Sequence, residues 1–314
     1  MRGRERRTAE WYVTDVPTDC SLHAVVATVR GPVAVGEDGR VLARHGGEWR
    51  IVVADGPATR ANTLTCVDAT DDGERAWFAG SSGALGAYDA ATGRKFDYSA
   101  PTEKTSTWEA IAVAGDRGDE RLRVANGSGE VMAVTTDDRG CPQWGAVVEP
   151  GCGATVSALD FGGGRAWAVD TSGEVTAEFE DWRTLGVRDA QVDFFDVAAG
   201  EERTFVAGDD GRLYRYDRRC ENWTPISVGE SALYGIDRDG TTLLAAGEAG
   251  VVAERMPEVG WLASTPAEAD LRDVAVGRRF DEETAATNAS AAADATTERR
   301  PDVAVGDDGT IIER

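Results

Sequence analysis

Short apolar runs alternate with turn residues along this chain, and one phrase returns seven times: an apolar triplet, a turn former, two mostly polar residues, a glycine and another apolar run. The copies read AVGEDGRV from Ala34, FAGSSGAL from Phe78, VANGSGEV from Val124, AVDTSGEV from Ala168, VAGDDGRL from Val206, AAGEAGVV from Ala245 and AVGDDGTI from Ala304. The closing glycines are Gly39, Gly83, Gly129, Gly173, Gly211, Gly250 and Gly309. Three residues earlier stand Gly36, Gly80, Asn126, Asp170, Gly208, Gly247 and Gly306, types that tolerate positive φ or bond back onto their own backbone. The pattern predicts a tight hairpin, a type I turn closed by a glycine bulge.

Two more apolar segments accompany each hairpin. Upstream lies apolar-x-x-aliphatic: Leu22/Val25, Leu64/Val67, Trp108/Ile111, Val156/Leu159, Phe194/Val197, Leu233/Ile236 and Leu271/Val274. Downstream lies a segment opened by Trp49, Phe96, Trp144, Trp182, Trp223 or Trp261. Four short strands recurring at roughly 40–45 residues predict an all-β fold, a seven-bladed β-propeller of four-stranded antiparallel blades. The blades run approximately over 17–56, 57–101, 102–150, 151–187, 188–229, 230–266 and 267–314, so 1–314 reads as one domain.

The seventh blade lacks a downstream strand. The segment AEWYVTDVP, with Trp11, matches the aromatic-led outer strands, so residues 8–16 are expected to complete blade 7 and close the ring. Only residues 278–300 break the rhythm. Rich in Ala, Thr, Asp and Glu, this stretch is expected to be a disordered insert, because it cannot bury enough surface to offset ordering entropy.

Charge narrows the reading. The chain carries 56 acidic against 33 basic residues, a net −23, and only Lys95 and Lys104 are lysines. Repulsion of that size weakens a compact fold unless it is screened, and at 1 M salt the Debye length is only about 3 Å. The composition resembles that of cytoplasmic proteins from salt-in halophilic archaea; an acidic protein from a GC-rich bacterium is the alternative. The same charge speaks against nucleic-acid binding and docking on anionic membranes. No apolar stretch approaches the roughly 18 residues of a membrane helix, and the basic N-terminus has no apolar core behind it. A cytoplasmic monomer is expected.

The five cysteines, Cys20, Cys66, Cys141, Cys152 and Cys220, show no CxxC and read as free thiols; no metal site and no cofactor are expected. His23 and His45 are the only histidines, which leaves little material for triad chemistry. No catalytic residue is assigned. Function should lie where the seven copies differ while facing a common surface. The residue after each inner-strand anchor differs every time: His23, Thr65, Glu109, Ser157, Phe195, Tyr234 and Arg272. Inner strands line a propeller's channel, so His23, Glu109, Tyr234 and Arg272 form a candidate binding site at its mouth. The strand pleat could equally bury several of them between blades. Arg60, Lys104 and Arg188, on outer-to-inner connections, are candidates for the same face, although such residues are often simply solvated. The turn glycines are structural; no helix follows them to cradle a phosphate.

At the blade signature the chain resembles the BNR-type, photosystem II assembly-factor-like propellers, whose repeat runs in outline L-x-x-V-x-F, a gap, then W-A-V-G-x-x-G-x-I. The best copies are Leu22 to Trp49 and Phe194 to Trp223, and LRDV with VAVGDDGTIIER repeats them in blade 7. The Asp-box of the group survives only as GGEW or CENW, and the arginine triad and acid/tyrosine pair of sialidases cannot be placed. The resemblance implies a binding scaffold for other proteins. The expected function is a non-catalytic scaffold or binding protein with a protein partner. The alternative is a hydrolase or lyase acting on a glycan or small anion at the channel mouth.

Overall fold

The computed structural model describes residues 10–57, 60–137, 139–187, 191–256, 259–280 and 300–314. They form seven four-stranded antiparallel sheets, six of them in simple chain order. The inner strands are Leu22–Val26, Leu64–Ala69, Trp108–Ala114, Val156–Gly162, Phe194–Ala198, Leu233–Asp239 and Leu271–Ala275. Each begins on the anchor residue that the repeat singles out.

The second strands are almost entirely buried, and Val33–Gly36, Arg75–Gly80 and Val303–Gly306 are buried throughout. Each blade is sandwiched between two others, so a strand in its middle needs apolar residues on both faces. Accordingly, the seven apolar clusters among the described residues each join two consecutive blades. Leu22, Ala34 and Leu42 of blade 1, for example, pack on Val303, Val305 and Ile311 of blade 7. Fully burying one such Leu or Ile contributes about 1.5–3 kcal/mol.

Six of the seven hairpins fall into two classes, which corrects the uniform turn expected from the phrase. In blades 1, 2, 6 and 7 the two residues at the tip both have positive φ, as in Asp38 (55°) and Gly39 (67°), and the turn is type I′. In blades 3 and 4 the expected type I turn with a glycine bulge is present. Asn126 O accepts from Gly129 N, and Asn126 Oδ1 accepts from Ser128 N and Glu130 N; Asp170 does the same for Ser172 and Glu174. Gly36 is extended (φ −170°), so conformational freedom is not its purpose. A Cβ there would lie within van der Waals overlap of the Ser21 carbonyl oxygen, at 2.1 Å. The glycine lets the incoming connection cross the blade.

Blade 7 is closed by the N-terminal segment. Tyr12–Val13 pairs with Ile311–Glu313, giving the sheet order Tyr12–Val13, Ile311–Glu313, Val303–Gly306 and Leu271–Ala275. The clasp is short in hydrogen bonds but anchored by side chains. The buried Glu313 carboxylate accepts from Trp49 Nε1 (2.6 Å) and Arg44 Nε (2.9 Å) of blade 1 and from the Tyr12 hydroxyl (3.3 Å). Trp11 packs into the blade 6–7 core under the Arg314 guanidinium.

Most of the predicted insert, 281–299, lies outside the described residues. Its stems are fixed: Gly277 N donates to Asp302 Oδ1, and Phe280 lies against Gly73 of blade 2. Among the described residues no helix is long and apolar enough to cross a membrane.

Candidate functional site

Every inner strand breaks register at the same place. Pairing with the second strand jumps between the anchor and the residue two further on, so each blade carries a β-bulge at the intervening position. The bulged residues are His23, Thr65, Glu109, Ser157, Phe195, Tyr234 and Arg272, the seven that vary. A bulge adds a residue to one strand and re-aims its side chain. All seven are half-buried and line one cavity of about 550 Å3 that runs down the channel. The strand pleat therefore does not hide them between blades.

Two of the seven have their polar atoms engaged in joining blades. Thr65 Oγ1 donates to the Trp108 carbonyl and Ser157 Oγ to the Phe194 carbonyl (2.6 Å), in each case the anchor of the next blade. Phe195, Tyr234 and Arg272 form a continuous arc. The two rings meet edge to face at 5.3 Å, and the Arg272 guanidinium stands 5.1 Å from the Tyr234 centroid. Arg272 is held by a forked ion pair to Asp307 (2.6 and 2.8 Å), with Asp270 at 3.7 Å. That pairing keeps the Asp307 carboxyl below its usual range. Burial lowers the His23 imidazole pKa, so His23 is neutral near pH 7. Burial raises that of Glu109, which has no ion-pair partner among the described residues.

Of the other predicted site residues, Lys104 pairs with Glu130 at 2.8 Å and Arg60 is exposed; neither lines the cavity. Arg188 lies outside the described residues.

Beneath the mouth the channel holds five carboxylates that sequence reasoning passed over. Asp196 and Asp273 sit two residues past their anchors; Asp68, Asp160 and Asp237 sit four past theirs. Each accepts from the N–H of the following residue and from one N–H of the next blade. Those second donors are Val113 for Asp68, Ala199 for Asp160, Ile236 for Asp196, Val276 for Asp237 and Val25 for Asp273, at 2.6–2.8 Å. The inner strand is the free edge of its sheet, so these N–H groups have no ladder partner and the carboxylates supply one. Gly235 leaves the space: a Cβ there would meet Asp273 Oδ1 at 2.8 Å.

Collecting acids in a narrow channel raises their pKa values. Burial and then the neighbouring Asp68 push Asp160 up to about 8, and burial raises Asp68 to about 7. Asp196 and Asp273 are raised by burial and by other channel carboxylates. Arg278 is the cation that answers them, 3.1 Å from Asp237 Oδ1, and its own pKa is raised chiefly by Asp237.

Cys152, Asp170 and Glu174 form the one group among the described residues whose ligand atoms gather as a metal site would require, within 4.8 Å. Asp170 Oδ1 already accepts three hydrogen bonds within its turn, and the space beside it is about 10 Å3.

No family model and no curated protein matches the sequence. Among solved structures, the chain is similar to the WD40 β-propeller domain of Doa1, with TM-score 0.72, 13% identity and 98% of both chains covered. It is similar to virginiamycin B lyase from Staphylococcus aureus, with TM-score 0.73, 11% identity and coverage of 97% of this chain and 98% of that one. It is also similar to YCF48 bound to a D1 peptide, with TM-score 0.67, 14% identity and coverage of 98% and 97%. At these identities the likeness concerns the fold alone, and on fold the chain is a seven-bladed β-propeller.

Proposed function

We propose that the protein is a non-catalytic binding scaffold that holds a segment of another protein at the bulged mouth of its channel. One observation carries this reading: seven bulges at one position bring the residues that differ between blades into a single cavity. The arc of Phe195, Tyr234 and Arg272 offers aromatic edges beside a guanidinium held in place by Asp307. Aromatic and arginine side chains are enriched among the few residues that carry most of the binding energy at protein interfaces. Glu109, opposite the arc, and His23, in the blade next to Arg272, provide polar tips without an ion-pair partner among the described residues. Of the acids whose charge reaches Tyr234, Asp270 and Asp307 are both engaged by Arg272, which favours binding over acid–base work there. YCF48, a fold neighbour, is seen with a peptide, which agrees with this use of a propeller. The acidic composition favours a monomer working at high salt in a cytoplasm.

The test is affinity capture in multimolar KCl with the wild type and the Tyr234→Ala/Arg272→Ala double variant. A protein retained by the wild type and lost by the variant is expected. Identical captures, or wild-type turnover of a glycan or small-anion panel that the double variant loses, would overturn the reading.

A further inference from the structure

A second cavity, of about 430 Å3, lies between the outer parts of blades 2 and 3. Its residues come from inter-strand connections and the adjoining strands at the end of the ring opposite the bulged mouth. Four arginines converge there from separate elements. Arg75 opens the second strand of blade 2 and Arg94 lies in the last turn of that blade; Arg117 and Arg139 come from the first and last turns of blade 3. In a chain with 56 acids, a cavity lined by four guanidiniums and a single carboxylate, Asp89, inverts the composition.

Two of the arginines are fixed in place. Arg75, with its side chain 9% exposed, holds Glu120 through Nη1 at 2.7 Å and faces Asp89 through Nη2 at 3.9 Å. Arg117 is tied to Glu74 (2.7 Å) and Asp89 (3.3 Å). The other two have no carboxylate partner among the described residues. Arg94 lies over the Phe96 ring at 5.2 Å, and Arg139 contributes only its backbone N–H, to Asp137. Phe96 and Tyr98 run parallel along one wall, their centroids 6.2 Å apart.

We propose that this cavity is a binding site for a phosphate monoester. Two guanidiniums without a carboxylate partner among the described residues, each a planar fork of parallel donors, converge beside Arg75, which Glu120 fixes in place. Together they offer more donors than the two oxygens of a carboxylate can accept, and they suit the three terminal oxygens of a phosphate. A monoester carries about −1.5 to −2 near neutral pH and would be held by Arg94 and Arg139, the two guanidiniums without a carboxylate partner among the described residues. The volume lies within the 300–1,000 Å3 common for small-ligand sites. The ester's organic part would lie along the Phe96 and Tyr98 edges.

Cys141 lines the same cavity and is exposed, so its alkylation reports occupancy. The probes are inorganic phosphate, phenyl phosphate and benzoate at constant ionic strength. Phosphate at about 10 mM should slow Cys141 alkylation severalfold and raise Tm, with phenyl phosphate acting at lower concentration and benzoate weakly. The Arg94→Gln/Arg139→Gln variant should lose both effects by about tenfold or more while keeping its ligand-free Tm. Arg272→Gln, in the other cavity, should keep them. A phosphoserine peptide that protects Cys141 far better than phenyl phosphate would identify the source as a modified partner; the reverse order would identify a free metabolite. Absence of protection, equal protection in the double variant, or equal protection by benzoate would overturn the proposal.

Discussion

The mouth ring takes one residue from each of the seven inner strands and the carboxylate tiers below it one from each of five of them, one or three residues further on, yet the two use polarity in opposite ways. In the tiers each aspartate closes the free edge of a sheet by taking one N–H from its own blade and one from the next. In the ring only Thr65 and Ser157 do comparable work, while His23, Glu109, Tyr234 and Arg272 leave surface facing the cavity. A polar side chain in a propeller channel is therefore no sign of function by itself. What separates the two regions is whether the backbone has already claimed the polar atom.

The tiers can stitch blade to blade only while the ring is closed, so the largest effect should come from removing the clasp. Deleting residues 1–16 strips Trp11 from the blade 6–7 core and Tyr12 from Glu313. Thermal unfolding should move down by far more than a tail truncation causes, and an unchanged Tm would remove the clasp from the account. Next comes Asp160→Ala, which leaves the Phe161 and Ala199 N–H groups without acceptors. At about 1–3 kcal/mol for each buried group left unsatisfied, urea unfolding should show a loss of about 2–4 kcal/mol. A neutral result would make the tiers ornamental.

The same bulge position in adjacent blades supplies a sharper contrast. Thr65→Ala should cost about 1 kcal/mol by losing its bond to blade 3, whereas Glu109→Gln should leave stability within about 0.5 kcal/mol. Equal costs would erase the distinction between structural and free ring residues. The smallest and most specific effect concerns pH. The channel carboxyls have folded pKa values raised above their unfolded ones, so the folded state binds protons more tightly. Their stabilising contribution is full below the unfolded carboxyl range, near pH 4, and is lost as pH rises through about 7 to 8. Tm should therefore fall between pH 5 and 9, and Asp68→Asn/Asp160→Asn should flatten that slope. A slope that survives the double substitution would assign it to the net charge of the whole chain instead.

Much of the ring was legible in the sequence, and the limits were physical. Leu22, Leu64 and the other anchors announced each inner strand because both faces of a blade must be apolar, and that requirement is written locally. Glu313 shows where legibility ends: its partners Trp49 and Arg44 are more than 260 residues away in sequence, and nothing local marks it among so many acids. Gly36 was readable as a turn glycine, but its reason, the Ser21 carbonyl crossing at contact distance, is a packing fact. Of the candidate site, His23, Glu109, Tyr234 and Arg272 were reachable because comparing seven copies isolates one variable position. Lys104 looked equivalent in sequence and is turned instead toward Glu130.

The sequence by itself determined the number of blades, the start of every inner strand and the closure through Trp11, because hydrophobic period and turn chemistry act over a few residues and then repeat. Tertiary structure alone decided that the variable residues are bulged into one cavity, and that Asp68, Asp160, Asp196, Asp237 and Asp273 cap a neighbouring blade's backbone. It also decided that four arginines meet between blades 2 and 3. The donors and charges that meet at these places come from different blades or from distant turns, and only closure of the ring sets them side by side.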